Sequence, residues 1–600
     1  MKESIRPMCR PALLLAVMLL TLQTAAMAAS TGPQVAVDTF KLENGMTFLL
    51  VRKPEMSTVS AAWVAHVGSS NERPGITGIS HLFEHMMFKG TRTVGTTDID
   101  RDLQIIQEQE TLQDQIRRIL VTQRRRARLG EIDDPFDPDV RPDDLIDLEH
   151  RFEKLVEEQR SIMKKDEFDK IYTEAGGSGM NAFTTQDMTG YFITVPANKT
   201  ELWFWMESDR LLHPVFREFY SERDVVYEER RLRTESSPTG EFDELFEAMF
   251  WESHPYSWPV VGWPSDLEVI TKRQADDYFR LYYSPGNITA ILVGNLDPQE
   301  VRTLARRYFG RGEASERPIP DVVTLEMPQR AEKRMNAQCD CQDQIRIAYH
   351  TVAFRHRDSY ALDVLAGLLN GRTGRLYKSM VLGDQIASSA SASQDSRKWG
   401  GMFEFQAEAK GQSTPDQLEK AWFAQLKKIV DEPIPAKEME KVKNGISADA
   451  YRRLQNPFFL MLQLMFYDGN GDWRYINYNS QRTLSVTADD VKRVARTYLT
   501  RERRAVGQYR RKAGTREAAL VPELKGLPDQ MRKMMEGQIR QIRRSTDAEK
   551  LRQALQAMEQ QAGNVPPPMQ KVIPVLKKII RERLEELGKE QSAAGEGGAR

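Results

Sequence analysis

The chain has 600 residues, 40% of them hydrophobic and 28% charged, the balance of an ordinary soluble globular protein. At roughly 150 residues per domain it is long enough for several domains. Lys plus Arg number 85 and Asp plus Glu 86, and the net charge of −1 excludes a global attraction to nucleic acid or to an anionic membrane.

The chain opens on MKESIRPMCRPALLLAVMLLTLQTAAMAAS, where Lys2, Arg6 and Arg10 precede an apolar run from Ala12 to Leu22 and Ala26-Met27-Ala28 follows it. This is the pattern of a secretory signal, residues 1–28, cleaved after Ala28. The run is shorter than the ~20 residues that span a bilayer. The expectation is a periplasmic or secreted chain without a membrane span. Cys9 precedes the apolar run and is not placed for lipid attachment.

FKLENGMTFLLVRKP predicts two strands about the Asn44-Gly45 turn, and TVSAAWVAHVGS a third. After the loop NERPGITG, SHLFEHMMFKGT predicts a helix of about 12 residues. Thr77 is its candidate N-cap, Lys89 sits in its last turn and Gly90 is its left-handed stop. Two charged helical stretches within about 101–170, split by EIDDPFDPDVRP, predict an antiparallel helical hairpin. Arg124, Arg125, Arg126 and Arg128 fall in the last turns of its first helix, where cations complement the dipole, so they are not read as a nucleic-acid patch. GMNAFTTQDMTGYFITVP reads as two short strands about a turn, ELWFWMESDRLLHP and REFYSERDVVYEERRLRTE as helices, and AILVGNL as a buried strand. Residues 313–334 have the proline and charge of a linker.

In the second half, TADDVKRVARTYLTRERRAVGQY echoes TKRQADDYFRLYYSPGNITAILV of the first: Thr, an amphipathic helix, Tyr, a turn, a strand. Two related α+β domains are therefore predicted, at 36–312 and 335–514. A charged helical extension follows at 515–600, broken at Pro566-Pro567-Pro568 and ending in QSAAGEGGAR, which is expected to be disordered. Cys339 and Cys341 lie near the start of a strand; a bridge between i and i+2 closes a tight ring, so two thiols are expected.

The chemistry concentrates in HLFEH. On a helix, His81 and His85 are i and i+4 and stand on one face, where two imidazoles can hold one ion. Glu84 lies beside them, placed to take a proton from an attacking water. This is the inverted zincin pattern H-x-x-E-H, which eight histidines in 600 residues would produce by accident on the order of 0.01 times. Leu82, Phe83, Met86 and Met87 make the helix apolar around most of its circumference, so its polar groups need partners that a metal would supply. A catalytic zinc needs a third ligand. SERDVVYEERR offers Glu222 and Glu229, seven apart on one helical face with Val225 and Val226. Spacing alone leaves open whether these acids bind a metal or pair with Arg223 and Arg230.

HLFEHMMFKGT resembles the active-site helix of the pitrilysin/insulinase family of zinc peptidases, which includes the mitochondrial processing peptidases. ERDVVYEE is similar to the family's third-ligand segment, which implies Glu229 as the zinc ligand, Glu222 as its supporting acid, and Glu228 outside the set. GGSGMNAFTT resembles the family's substrate-pairing strand, with Asn181, Ala182 and Phe183 as contacts; HPYSWPVVGWPSDL, YYSPGNITAILVGNLDPQEV and LLNGRTGRLYKSM match further segments. The likeness covers about 36–512, more strongly in the first half.

The resemblance implies two tandem α/β-roll domains and a Zn²⁺ peptidase that takes peptides or unfolded polypeptides as extended strands. It also implies pairing of this single half with itself or with a related chain. Three departures stand out. Glu229 follows His85 by 144 positions, more than the family's usual gap, and the hairpin accounts for the excess. The extension after 515 is additional. The family's Arg–Tyr pair is not placed on GGMFEFQAEAKG, which leaves two readings: a partner chain supplies it, or this protein does without it. The alternative reading is a non-catalytic scaffold subunit, which the intact metal motif disfavours. A short cytosolic metal-dependent lyase using H-x-x-E-H fits neither the signal nor the length.

Overall fold

The computed structural model describes residues 34–512, apart from 136, 315 and 316, and parts of 535–596. The expected signal sequence and the Pro566–Pro568 break lie outside the described residues. The described residues up to Arg511 form one compact unit and the described residues beyond it a second. No helix among the described residues is long and apolar enough to cross a membrane.

Six strands build the first sheet: β1 (Asp38–Lys41), β2 (Thr47–Arg52), β3 (Thr58–Ala65), β4 (Ser178–Thr184), β5 (Thr189–Pro196) and β6 (Ile288–Gly294), in the order β1-β2-β6-β3-β5-β4. Five build the second: β7 (Lys333–Cys339), β8 (Gln344–Thr351), β9 (Ala387–Ser396), β10 (Gly401–Ala409) and β11 (Arg504–Arg511), in the order β7-β11-β8-β10-β9. β6 runs parallel to β2 and antiparallel to β3, and β11 runs parallel to β7 and antiparallel to β8. The second sheet thus repeats the first without β1. The sequence echo marks the repeat: Thr271 and Thr487 each close a capping box on a helix that leads into the inserted strand.

The helices the site depends on are α1 (Ile79–Met86), α2 (Ile99–Arg128), α3 (Asp143–Ile162), α4 (Glu167–Glu174), α5 (Phe219–Arg230), α6 (Gly240–Phe250) and α7 (Pro457–Gly469). The predicted hairpin is α2–α3; α4 is a separate helix that leads into β4.

Both faces of the central strands β2, β3 and β6 are buried, which explains their nearly unbroken apolar sequences. Phe48, Leu50, Ala61, Trp63, Ala290 and Leu292 face α1 and its neighbours. Leu49, Val51, Ala62, Val64, Ile291 and Val293 face Leu460, Met461, Leu464 and Met465 of α7, a helix from the second half. The exchange is mutual, because Phe246 and Phe250 of α6, from the first half, pack on Ala348, Met402 and Ala505 of the second sheet. Each side chain that α7 buries contributes about 1.5–3 kcal/mol.

Three local expectations are corrected. Cys339 ends β7 rather than standing near a strand's start, and the bend at Asp340 turns Cys341 back so that the two sulfurs are bonded. In the C-terminal unit, a helix over Ile573–Glu596 carries through the first six residues of the tail expected to be disordered; Ser592, Ala593 and Ala594 prolong it. Residues 597–600 lie outside the described residues. The motif helix is eight residues rather than about 12, because the chain turns at Met87 before Gly90 takes its left-handed φ of 96°.

Candidate metal centre

α1 is built into the core by Ile79, Leu82, Phe83 and Met86, which leaves Glu84 and His85 towards the cleft, with His81 buried beside His85. Its N-terminus is not capped by Thr77. Gly78 is the N-cap residue, and the buried Glu72 carboxylate accepts from the amides of Gly78 and Ser80, both at 2.8 Å. The Thr77 hydroxyl donates to Asp266 instead, at 2.7 Å. Gly78 has φ 90°, and a Cβ there would stand 2.4 Å from the carbonyl oxygen of Val261 and 2.9 Å from Gly262. Only glycines allow the PVVGW loop to close this tightly on the start of the motif helix.

α5 presents Glu222 and Glu229 to the histidines. Glu229 Oε2 lies 3.3 Å from His85 Nε2 and 3.8 Å from His81 Nε2. One donor atom from each of His81, His85 and Glu229 lies within 4.8 Å of the other two, the one group of three such donors among the described residues. Zinc bonds of ~2.0–2.2 Å in a tetrahedron set its ligands roughly 3.3 Å apart, and Glu229 already stands near that separation from both histidines. Glu229 Oε1 is held at 2.7 Å by Arg233, which turns Oε2 inward. Glu228 points away and is 59% exposed, paired with Arg231. Of the two valines read onto the acids' face, Val226 is buried and Val225 is 48% exposed.

The electrostatics fit a cation. His81 is buried, its Nδ1 has no hydrogen-bond partner, and burial pushes its pKa down to about 3, helped by the charges of His85 and Arg233. It is therefore a neutral imidazole at ordinary pH, the form that binds a metal. His85 also suffers burial, but its hydrogen bond to Glu222 and the charges of Glu229, Glu222 and Glu84 outweigh that and raise its pKa. Glu222 Oε2 sits 3.5 Å from His85 Nδ1, which orients the ring and leaves Nε2 towards Glu229. Burial would raise the Glu222 pKa, yet the His85 and Lys89 hydrogen bonds keep it low. The Lys89 ammonium bridges Glu222 and Glu218. Glu84 stands outside the donor group; burial raises its pKa, against a 2.8 Å hydrogen bond donated by Thr184.

β4 is the outermost strand of its sheet, so its outer edge is unpaired among the described residues. The cleft beside it, about 710 Å³, is lined by Glu84, His85, Phe88, Met163, Phe168, Asn181 and Ala182 among others. Asn181 is exposed and its side chain accepts from the Ala182 amide, at 2.8 Å. The Phe183 ring is on the sheet face away from Glu84, stacked 4.8 Å from Phe466 of α7, so only its main chain borders the edge.

Sequence reasoning missed Thr184 and Lys89. Both had a signal: Thr184 is two residues from Ala182 on the same strand face, and Lys89 is four residues after His85.

Two family models match the chain: insulinase (peptidase family M16) over residues 47–106, and the peptidase M16 inactive domain over residues 270–446. The zinc protease PqqE of Helicobacter pylori is 29% identical over 358 residues, 59% of this chain and 80% of that one. The solved structure of a protease from Helicobacter pylori superposes with a TM-score of 0.65 at 24% identity, covering 80% of this chain and 100% of that one. The periplasmic protease PqqL from Escherichia coli gives a TM-score of 0.59 at 16% identity, covering 85% of this chain and 50% of that one. At these identities the two structures speak for the fold alone.

Proposed function

We propose that this chain, which belongs to the insulinase family of peptidases, is a periplasmic or secreted zinc endopeptidase that cleaves peptides or unfolded polypeptides. The observation that carries the reading is the convergence of His81, His85 and Glu229 within 4.8 Å, beside Glu84 and an open sheet edge. These three residues would hold the zinc, with Glu222 fixing the His85 ring. Zinc bound there would supply a Lewis acid that polarises the scissile carbonyl and acidifies water.

The chain's own residues supply the rest. Glu84 takes the proton of the attacking water and delivers it to the leaving amine. Thr184 holds Glu84 through its hydroxyl, so the carboxylate faces the cleft in one orientation. The β4 edge at Asn181, Ala182 and Phe183 receives the substrate as an added strand, through main-chain hydrogen bonds that demand little of its sequence.

The reading has three further parts. The location rests on the first 28 residues and agrees with the periplasmic PqqL. The domains are taken as 36–312, carrying the metal centre, and 335–514, into which the inactive-domain match at 270–446 runs. PqqL is about twice the length this chain covers, so the chain is expected to pair with a second copy or a related chain.

The test is Glu84→Gln in the full chain. Zinc content by mass spectrometry should stay at the wild-type value while cleavage of a quenched peptide falls by about 10²–10⁴-fold. Cleavage at the wild-type rate would refute the role of Glu84.

A further inference from the structure

The α2–α3 hairpin meets the metal centre through a buried charge. Arg217 stands two residues before α5, and it and Asp102 of α2 are both 0% exposed. The guanidinium donates through Nε to Asp102, through Nη2 to the Thr91 carbonyl at 2.6 Å, and through Nη1 to the carbonyls of Lys89 at 3.1 Å and Val94 at 3.3 Å. Those carbonyls belong to the turn that leaves α1. One side chain thus joins the exit of the helix bearing His81 and His85 to the entry of the helix bearing Glu229.

The surroundings are shaped around it. A Cβ on Gly90 would approach Arg217 Nη1 to 3.0 Å, and one on Gly95 to 3.2 Å. Glu218, between Arg217 and α5, holds a left-handed φ of 52°, which a non-glycine residue keeps only where neighbours over-determine it. Its carboxylate receives Lys89 and Arg160, each at 3.2 Å.

Asp102 is fixed in turn by the hairpin. Gln159 of α3 donates to it at 2.8 Å and accepts from Gln109 of α2 at 3.2 Å, all three being buried. A buried guanidinium is costly unless paired, and Asp102 is the acid that pairs it, with Glu167 next.

We infer that Arg217, locked by Asp102 of the hairpin, is a positioning residue that sets the separation of the two ligand-bearing helices, and that the hairpin is a working part of the metal centre. The inference rests on reading His81, His85 and Glu229 as zinc ligands. The path is continuous: Asp102 to Arg217, Arg217 to the Lys89 main chain, the Lys89 ammonium to Glu222, and Glu222 to His85.

The test uses the full chain with Asp102→Asn and Arg217→Lys, and Arg124→Ala towards the far end of α2 as the control. Zinc affinity is measured by competition with a chelator, and kcat and KM with a quenched peptide. Asp102→Asn and Arg217→Lys should each weaken zinc binding by about 10-fold or more and lower kcat, while KM stays near wild type because the β4 edge is untouched. Arg124→Ala should change neither. If Asp102→Asn does not fold, Arg217→Lys decides, since it keeps the buried charge pair and loses the fork to the carbonyls. A folded variant with wild-type zinc affinity and kcat overturns the inference alone. A wild-type chain that binds no zinc overturns the metal-centre reading first.

Discussion

Glu229→Gln and Glu228→Gln form a pair that tests the donor set. Four-ligand structural zinc sites bind with about 10–16 kcal/mol, so one ligand is worth roughly 3 kcal/mol, or about 100–1,000-fold in affinity. Glu229 Oε2 is 3.3 Å and 3.8 Å from the two imidazole nitrogens, so Glu229→Gln should lose an amount of that order. Glu228 is 59% exposed and faces Arg231, so Glu228→Gln should bind zinc within about 2-fold of wild type. Neither change should unfold the metal-free chain, because the Arg233 that Glu229 leaves behind is 74% exposed. Zinc per chain after dialysis, chelator competition and a melting curve measure all three quantities. Unchanged zinc affinity in Glu229→Gln, or a large loss in Glu228→Gln, would refute the assignment.

Thr184→Val removes the hydroxyl that holds Glu84 and should lower kcat by several-fold with zinc content unchanged; an equal loss of zinc would mean that Thr184 supports the ligands instead. Leu464→Ala hollows the contact of α7 with the first sheet at a fully buried position and should cost about 2–5 kcal/mol in urea unfolding, with less than 1 kcal/mol counting against that packing. His350, stacked 3.8 Å from Phe250, is held neutral by burial, its pKa pushed down to about 4. Its unfolded value is near 6.5, so the unfolded chain binds the extra proton first, and stability falls as pH drops from about 6.5 towards 4. Urea midpoints between pH 7.5 and 5 should show this slope, and His350→Phe should flatten it; an identical slope in the variant would dismiss His350 as a contributor.

Legibility followed the range of the interactions. The Asn44-Gly45 turn, the hairpin and the Thr-helix-strand echo were readable because turn chemistry and periodicity are local. His81, Glu84 and His85 were readable because a helix places i and i+4 together whatever surrounds it. Glu229 was not separable from Glu228 by spacing, since the choice depends on which face α5 turns to α1, and family resemblance supplied it. Glu72 replaced Thr77 at the helix start because a carboxylate six residues before Gly78 folds back, a tertiary contact with no spacing rule. The Phe183 ring could not be oriented without Phe466, nearly three hundred positions later. Asp102 and Arg217 stand 115 positions apart, so no local rule pairs them.

The exchange of α6 and α7 between the halves bears on how the chain tolerates cutting. The 313–332 stretch is the covalent link between the sheets, but it is not what holds them together. A single proteolytic nick there would leave one particle, because α7 remains seated on the first sheet and α6 on the second. Expressing residues 34–312 alone would instead lay bare Leu49, Val51, Ala62, Val64, Ile291 and Val293, an apolar face that drives aggregation. The two halves are thus separable in sequence and inseparable as folded bodies. The half without the proposed metal ligands braces β4 through Phe466, the strand on which substrate is proposed to lie.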